Sequence, residues 1–469
     1  MSRTLKLDQT PIGKLLFTLA LPNIFAQVVN MLYNIVDRMY IGRIPEVGPL
    51  ALTGVGIAFP IFIIIMSFSS LIGIGGAPQA AIKMGEGNKE EAEKILGTGV
   101  TTLFFLSLTL SFVFFTFGQD FLQLFGASNE TLPFAWDYLK IISLGAITIQ
   151  FALGLNPYIS TQGYALFSMI TILIGATLNI ILDPILIFVF DMGVTGAAVA
   201  TVISQAVSAL WVLKFLTGKK TELRIRWSYL KIKPQYLIMI VTLGISPFIM
   251  QSTESLLNIT FNRSLQLYGG DLAVGAMTIT ASLMQMLILP LMGLSQGAQP
   301  IMSYNYGAGN TTRVKQTFKL LFLASLSYSF LFWLSLKLFP HVFIGIFTND
   351  QALIDITTDT ISVYMAVVFL FGAQISCQQA FIALSEARVS LFLALLRKIL
   401  LLIPLILLLP RIIEDQTFAV LVSEPIADFI SVVTTVSVFF YLFNRILLRR
   451  KQMLVNEVST TPASPDTLS

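Results

Sequence analysis

Apolar runs long enough to cross ~30 Å of hydrocarbon recur from one end of this 469-residue chain to the other. Twelve can be traced, at about 13–41, 48–81, 92–118, 133–157, 163–189, 194–217, 235–266, 270–303, 314–339, 353–384, 388–410 and 416–445. A water-soluble fold could not cover so much Leu, Ile and Phe. The chain is 55% hydrophobic and 12% charged, about half the charge of an ordinary soluble domain. The expected fold class is an all-α membrane protein of about twelve spans.

Charge placement sets the expected orientation. With twelve spans, one side of the membrane receives both ends and the loops near 82–91, 158–162, 218–234, 304–313 and 385–388. That side holds roughly 21 of the 29 Lys and Arg residues, against about six opposite, which predicts cytoplasmic termini. Lys219, Lys220, Arg224, Arg226, Lys231 and Lys233 crowd one loop. The net charge of +4 is therefore a topological signal and gives no reason to expect a nucleic-acid partner. Cys377 and His341 are single, so no disulfide framework, Cys-based metal site or His-based metal motif is expected. The pattern also predicts a short interfacial helix at Leu5–Leu16 and a disordered tail over 451–469.

The chain is internally duplicated. Ala20-Leu21-Pro22 leads to Asn34-Ile35-Val36-Asp37-Arg38, and Ile245-Ser246-Pro247 leads to Ile259-Thr260-Phe261-Asn262-Arg263. Gly85-Glu86-Gly87-Asn88 pairs with Gly307-Ala308-Gly309-Asn310, each preceded by a proline seven residues earlier, Pro78 or Pro300. Each copy holds six spans. Six is even, so both copies enter the membrane in the same direction and are related by a pseudo-two-fold axis along the membrane normal. The expected organisation is an N-terminal lobe (1–217), a basic linker (218–234) and a C-terminal lobe (235–450). Such lobes would enclose a central cavity. No G-x-x-x-x-G-K-[ST] motif is present, so any active transport draws on an ion gradient.

The first span carries Asn23, Gln27, Asn30, Asn34 and Asp37 at a 4-3-4-3 spacing, which puts all five on one helix face. Lipid cannot face that stripe, because an unpaired amide in hydrocarbon costs several kcal/mol. The amides either glue helices together or meet substrate. Asp37 is a stronger functional candidate, since an intramembrane acid is costly to keep. In the fifth span Asn179 and Asp183 are one turn apart, and Pro184 frees the carbonyl of Ile180 as a further acceptor. Thr201, Gln205 and Ser208 share a face of the sixth span. Three helices of one lobe thus supply oxygens for a shared proton or a sodium ion.

The second lobe is chemically different. Asn262 stands at the register of Asp37, and Ile399 and Ile403 stand where the first lobe has Asn179 and Asp183. Its own polar residues are Glu254 with Gln251 and Asn258 on the seventh span, Gln374 and Gln378 on the tenth, and Glu424 and Asp428 on the twelfth. Glu254 either meets a cationic substrate or pairs with Arg397 or Lys398. Candidate substrate contacts are Gln27, Asn30, Asn34, Gln205, Glu254, Asn258, Gln374 and Gln378.

In these motifs, over about residues 12–445, the chain resembles the multidrug and toxic compound extrusion (MATE) family, in its bacterial MepA-like branch. Leu21-Pro22 with Asn34–Asp37, the doubled Gly-x-Gly-Asn turn and Leu178–Pro184 carry the resemblance. It implies export of small hydrophobic, mostly cationic drugs by alternating access, driven by protons or sodium, across the bacterial cytoplasmic membrane. It also implies that Asp37, Asn179, Asp183 and Thr201 form the cation-coupling cluster used by members of the DinF type. The NorM type places an acid in mid-tenth span, where 363–383 here has none, and Glu254 falls one position off its seventh-span acid. The expected coupling site is therefore in the N-lobe. No cofactor beyond the coupling ion is expected, and a monomer is expected because one chain supplies both lobes. A flippase for a lipid-linked substrate is the competing reading, although such a protein should present basic residues to its cavity. An intramembrane enzyme is disfavoured by the absence of a nucleophile–base pair or H-E-x-x-H motif.

Overall fold

The computed structural model describes residues 7–460, apart from the side chains at 255, 258, 259, 271 and 455–460. Among the described residues all regular structure is helical. The N-terminal lobe contains α1 (Ile12–Gly42), α2 (Gly48–Gly85), α3 (Lys89–Leu124), α4 (Leu132–Ser160), α5 (Ala165–Val189) and α6 (Gly193–Thr217). The C-terminal lobe contains α7 (Pro234 to a break at Gly270), α8 (Leu272–Gly307), α9 (Thr311–Leu338), α10 (Gln351–Ala383), α11 (Ala387–Arg411) and α12 (Gln416–Thr460). Two spans are broken: α4 bends by 60° next to Gly145, and its counterpart α10 bends by 50° between Tyr364 and Val368. Gly270 separates α7 from α8 at φ 66°, a conformation that strains residues bearing a Cβ.

Helix α1 shows how the sequence pattern becomes packing. Phe17, Leu21, Phe25, Val28, Leu32, Ile35 and Met39 are its exposed large apolar residues, spaced at three and four. Asn23 and Asp37 are buried on the other side, and Gln27, Asn30 and Asn34 are half-buried between them. The polar stripe is turned towards protein, as the cost of an unpaired amide in lipid requires.

The lobes meet along one half of the molecule, nearest the face that carries the basic loops. A methyl group on Gly293 would stand 2.5 Å from the α-carbon of Ile24, and one on Gly297 would stand 2.5 Å from that of Ala20. In the mirrored pair of helices, Gly75 approaches the Ile240 carbonyl and Gly244 that of Leu71, at 2.3 and 1.8 Å for the same added atom. Next come two polar bridges between lobes, Gln27 Nε2 to Gln296 Oε1 (3.2 Å) and Gln251 Nε2 to Ser70 Oγ (2.8 Å). The bundle is closed at its basic face.

Two boundary expectations change. No interfacial helix precedes the first span among residues 7–16: a turn leads to Pro11, and α1 starts at Ile12. Helix α12 continues through 451–460, so the first part of the expected disordered tail is helical, and 461–469 lie outside the described residues. The basic linker is a packed shelf on the N-lobe. Gln162 Oε1 accepts from Thr221 Oγ1, Glu222 N and Leu223 N at 2.8, 2.8 and 2.9 Å. Buried Glu93 accepts from Arg224 N (3.3 Å) and pairs with Arg226 Nε (2.5 Å). Those two polar side chains give the linker's backbone the partners it lacks in an irregular stretch.

Candidate functional site

The N-lobe gathers Asp37 from α1, Asn179 and Asp183 from α5 and Thr201 from α6 into one buried cluster. Asp183 and Asn179 sit one turn apart, and a wide π-helical turn at Ile185–Val189 absorbs the donor that Pro184 lacks. Asn179 Nδ2 donates to Asp183 Oδ1 (3.2 Å) and to Thr201 Oγ1 (3.3 Å). The Asp37 carboxyl lies within hydrogen-bonding reach of the Asp183 carboxyl. Asp37 Oδ1, Asp183 Oδ2 and Asn179 Oδ1 are each buried with no donor among the described residues. Arg38 is the next residue to Asp37, yet its guanidinium turns out over the Phe59 ring at 4.6 Å.

Two tyrosines near the same site were missed by sequence reading. Tyr33 and Tyr138 lie close enough to both carboxyl groups to feel their charge, and Tyr138 is 4% exposed. Tyr33 is one turn from Asp37 on α1, a spacing that could have drawn attention to it. Tyr138 comes from the first arm of the bent α4, and no local signal ties it to the cluster.

The other candidates divide between the lobe interface and the interior. Asn34 donates to the Asn30 carbonyl on its own helix (2.6 Å), while Gln27 bridges the lobes. Gln205 is half-buried one turn from Thr201. In the C-lobe, Gln374 is buried and donates to Ser431 Oγ (2.8 Å), and buried Gln378 donates to Met250 Sδ (3.2 Å). The side chain of Asn258 lies outside the described residues.

The C-lobe acids already have cations. A π-helical turn over Leu396–Leu402 sends two consecutive basic residues to opposite neighbours. Arg397 bonds Asp428 Oδ1 (2.6 Å) and Glu424 Oε1 (3.1 Å) on α12 and covers the Phe371 ring at 4.9 Å. Lys398 pairs with Glu254 on α7 and donates to the Met250 carbonyl at 2.8 Å. Glu254 remains 55% exposed beside that pair. Of the two roles open to Glu254, the structure supplies the pairing with Lys398. Among the described residues no group of three or more His, Cys, Asp or Glu is placed to hold a metal ion.

Solved structures of similar fold are described as transporters. The chain superposes on DinF-BH, a MATE multidrug transporter, with TM-score 0.86 at 36% identity over 94% of this chain and 98% of that one. A MATE protein solved in its bent conformation gives TM-score 0.89 at 20% identity over 96% and 99%, which speaks for the fold alone. Multidrug export protein MepA of Staphylococcus aureus (strain N315) is 27% identical over 365 residues, 78% of this chain and 80% of its own. The MatE family pattern matches twice, at residues 22–185 and again at 247–408, once per lobe. This chain therefore belongs to the MatE family of multi-span multidrug efflux transporters.

Proposed function

We propose that the protein exports small hydrophobic, mostly cationic drugs from the cytoplasm in exchange for protons, by alternating access, in a bacterial cytoplasmic membrane. The observation that carries the coupling is the meeting of Asp37 and Asp183. Two buried carboxyl groups within hydrogen-bonding reach, each with an oxygen that lacks a donor, are matched by one proton placed between them. A bare cation would need more oxygens than the three that lack a donor here, Asp37 Oδ1, Asp183 Oδ2 and Asn179 Oδ1. The proton reading fits the donor pattern better.

Both termini on the cytoplasmic side follow from the basic loops. The closed basic face is then the cytoplasmic one. A proton entering from outside and shared by the two carboxyl groups removes one negative charge at the α1–α5–α6 junction and changes how α1 packs. Because α1 also meets α8 of the other lobe, at Ala20 and Ile24, that change reaches the lobe interface. The names of MepA, a multidrug export protein, and of DinF-BH, a multidrug transporter, support drugs as cargo.

The test is ethidium efflux from cells expressing the chain, with the proton and sodium gradients collapsed separately. Loss of efflux with the proton gradient alone is expected, and Asp37→Asn and Asp183→Asn should each abolish it. Normal transport by either variant would sink the proton scheme. Loss with sodium alone would recast the cluster as a sodium site. Absence of efflux under every condition would favour the lipid-linked substrate.

A further inference from the structure

The duplicated turns that end α2 and α8 differ at one chemically important position. Gly85-Glu86-Gly87-Asn88 carries an acid where Gly307-Ala308-Gly309-Asn310 carries a methyl group. The turn itself does not need the acid. In both copies the second glycine takes a positive φ, 77° at Gly87 and 72° at Gly309. In both, the asparagine side chain caps the next helix, accepting from Glu91 N and Arg313 N at 3.2 Å. Glu86 is therefore free for another task.

Its Oε1 meets the guanidinium of Arg450 at 2.5 Å, while Oε2 meets Lys83 at 2.9 Å. Arg450 stands near the basic end of α12 and is 8% exposed. It donates to the Gly307 carbonyl (2.8 Å) and the Tyr306 carbonyl (3.2 Å), and its guanidinium lies 5.7 Å from the Tyr306 ring centre. Every one of those further contacts is to the C-lobe. The arginine is thus preorganised on one lobe and reaches across to a single carboxylate on the other. It does so where α2 and α8 cross.

We propose that Arg450 and Glu86 form a latch that holds the basic face closed and must break once in each transport cycle. When the lobes part at this face, Arg450 keeps its two C-lobe carbonyls and ring. Only the charge-assisted bond to Glu86 is lost. The latch thus acts as a positioning device on the equilibrium between the two open states, without touching cargo or proton. Its place in a cycle rests on the exporter reading above; its existence as a lock on the lobes does not.

The experiment measures distances between spin labels on the full chain in lipid nanodiscs, with Cys377→Ala removing the one native thiol. Labels go at Lys89→Cys and Lys315→Cys, exposed positions just beyond the two turns. One short-distance population is expected in the parent. Glu86→Gln and Arg450→Gln should each raise the ratio of long to short distances about tenfold. Arg450→Lys should restore part of the short population. Glu90→Gln breaks a pair with Lys94 on its own helix, within the N-lobe, and should change nothing. Parent-like distances in both Glu86→Gln and Arg450→Gln would overturn the latch. Should Arg450→Gln fail to fold, Glu86→Gln decides alone, since the arginine then retains its C-lobe partners. A parent that moves no drug yet shows these distance shifts would count against the exporter reading and leave the latch standing.

Discussion

Gly85 and Gly307 hold reciprocal positions across the pseudo-two-fold axis. A methyl group on Gly85 would stand 2.0 Å from the Tyr304 carbonyl oxygen, and one on Gly307 would stand 2.0 Å from that of Ile82. Each glycine thus lets the other lobe's backbone approach to a distance that no side chain permits. Gly307→Ala should destabilise this closed arrangement by about 1–3 kcal/mol, the usual effect of overpacking. The control is Gly13→Ala, whose added methyl meets nothing within 4 Å. Thermal unfolding in detergent compares them; equal melting temperatures would show that the crossing imposes no constraint.

In the N-lobe cluster, Asn179→Ala removes the donor that serves both Asp183 and Thr201. Asp183 would then have no donor on either oxygen. A hydrogen bond to a charged group contributes about 1.5–3 kcal/mol, so initial efflux rates should fall by about tenfold or more. Thr201→Val should have the smaller effect, because Asn179 still serves Asp183. Drug efflux into everted vesicles measures both, and a larger loss for Thr201→Val would reverse the assigned roles.

Arg397 is the counter-charge that lets the C-lobe bury two acids on α12. Arg397→Met would strand Glu424 and Asp428, at a cost of about 3–5 kcal/mol typical of breaking a buried pair. The triple variant Arg397→Met, Glu424→Gln, Asp428→Asn should regain most of that stability, since no unpaired charge remains. Chemical or thermal unfolding of the purified protein would reveal it; a triple variant no more stable than the single would refute the counter-charge account.

Gln162 gathers three donors from the linker onto one oxygen. Gln162→Leu leaves the Glu222 and Leu223 N–H groups without it, at about 1–3 kcal/mol for each donor that stays buried. The shelf should loosen, and trypsin should cut after Lys219 or Lys220 faster than in the parent. An unchanged cleavage rate would mean that Glu93 and its arginine hold the linker alone.

Much of the site was readable from the chain because helical spacing is local. Asn179 and Asp183 are four apart, so they converge on any helix, and Asp37 ends a polar stripe that lipid cannot accept. Tyr138 was not readable. It stands on the first arm of α4, far in sequence from Asp37 and Asp183, and no spacing in its own helix points to them. Glu254 shows the same limit from the other side. Sequence offered it a substrate, Arg397 or Lys398, and only the π-helical turn that aims Lys398 at α7 supplied the partner. Arg450 went unnoticed because its partner Glu86 is 364 residues away.

The sequence by itself determined that the chain spans a membrane many times, that it is built from two unequal copies, and where the intramembrane acids lie. Hydropathy, helical period and duplication are properties of the chain in order, so they survive without a structure. Tertiary structure decided which charges meet. It joined Asp37 to Asp183, gave the C-lobe acids their own arginine, and closed the basic face through paired glycines. A contact between distant helices depends on how bends and close approaches orient them. Those geometries are set by packing across the whole bundle and not by any stretch of neighbouring residues.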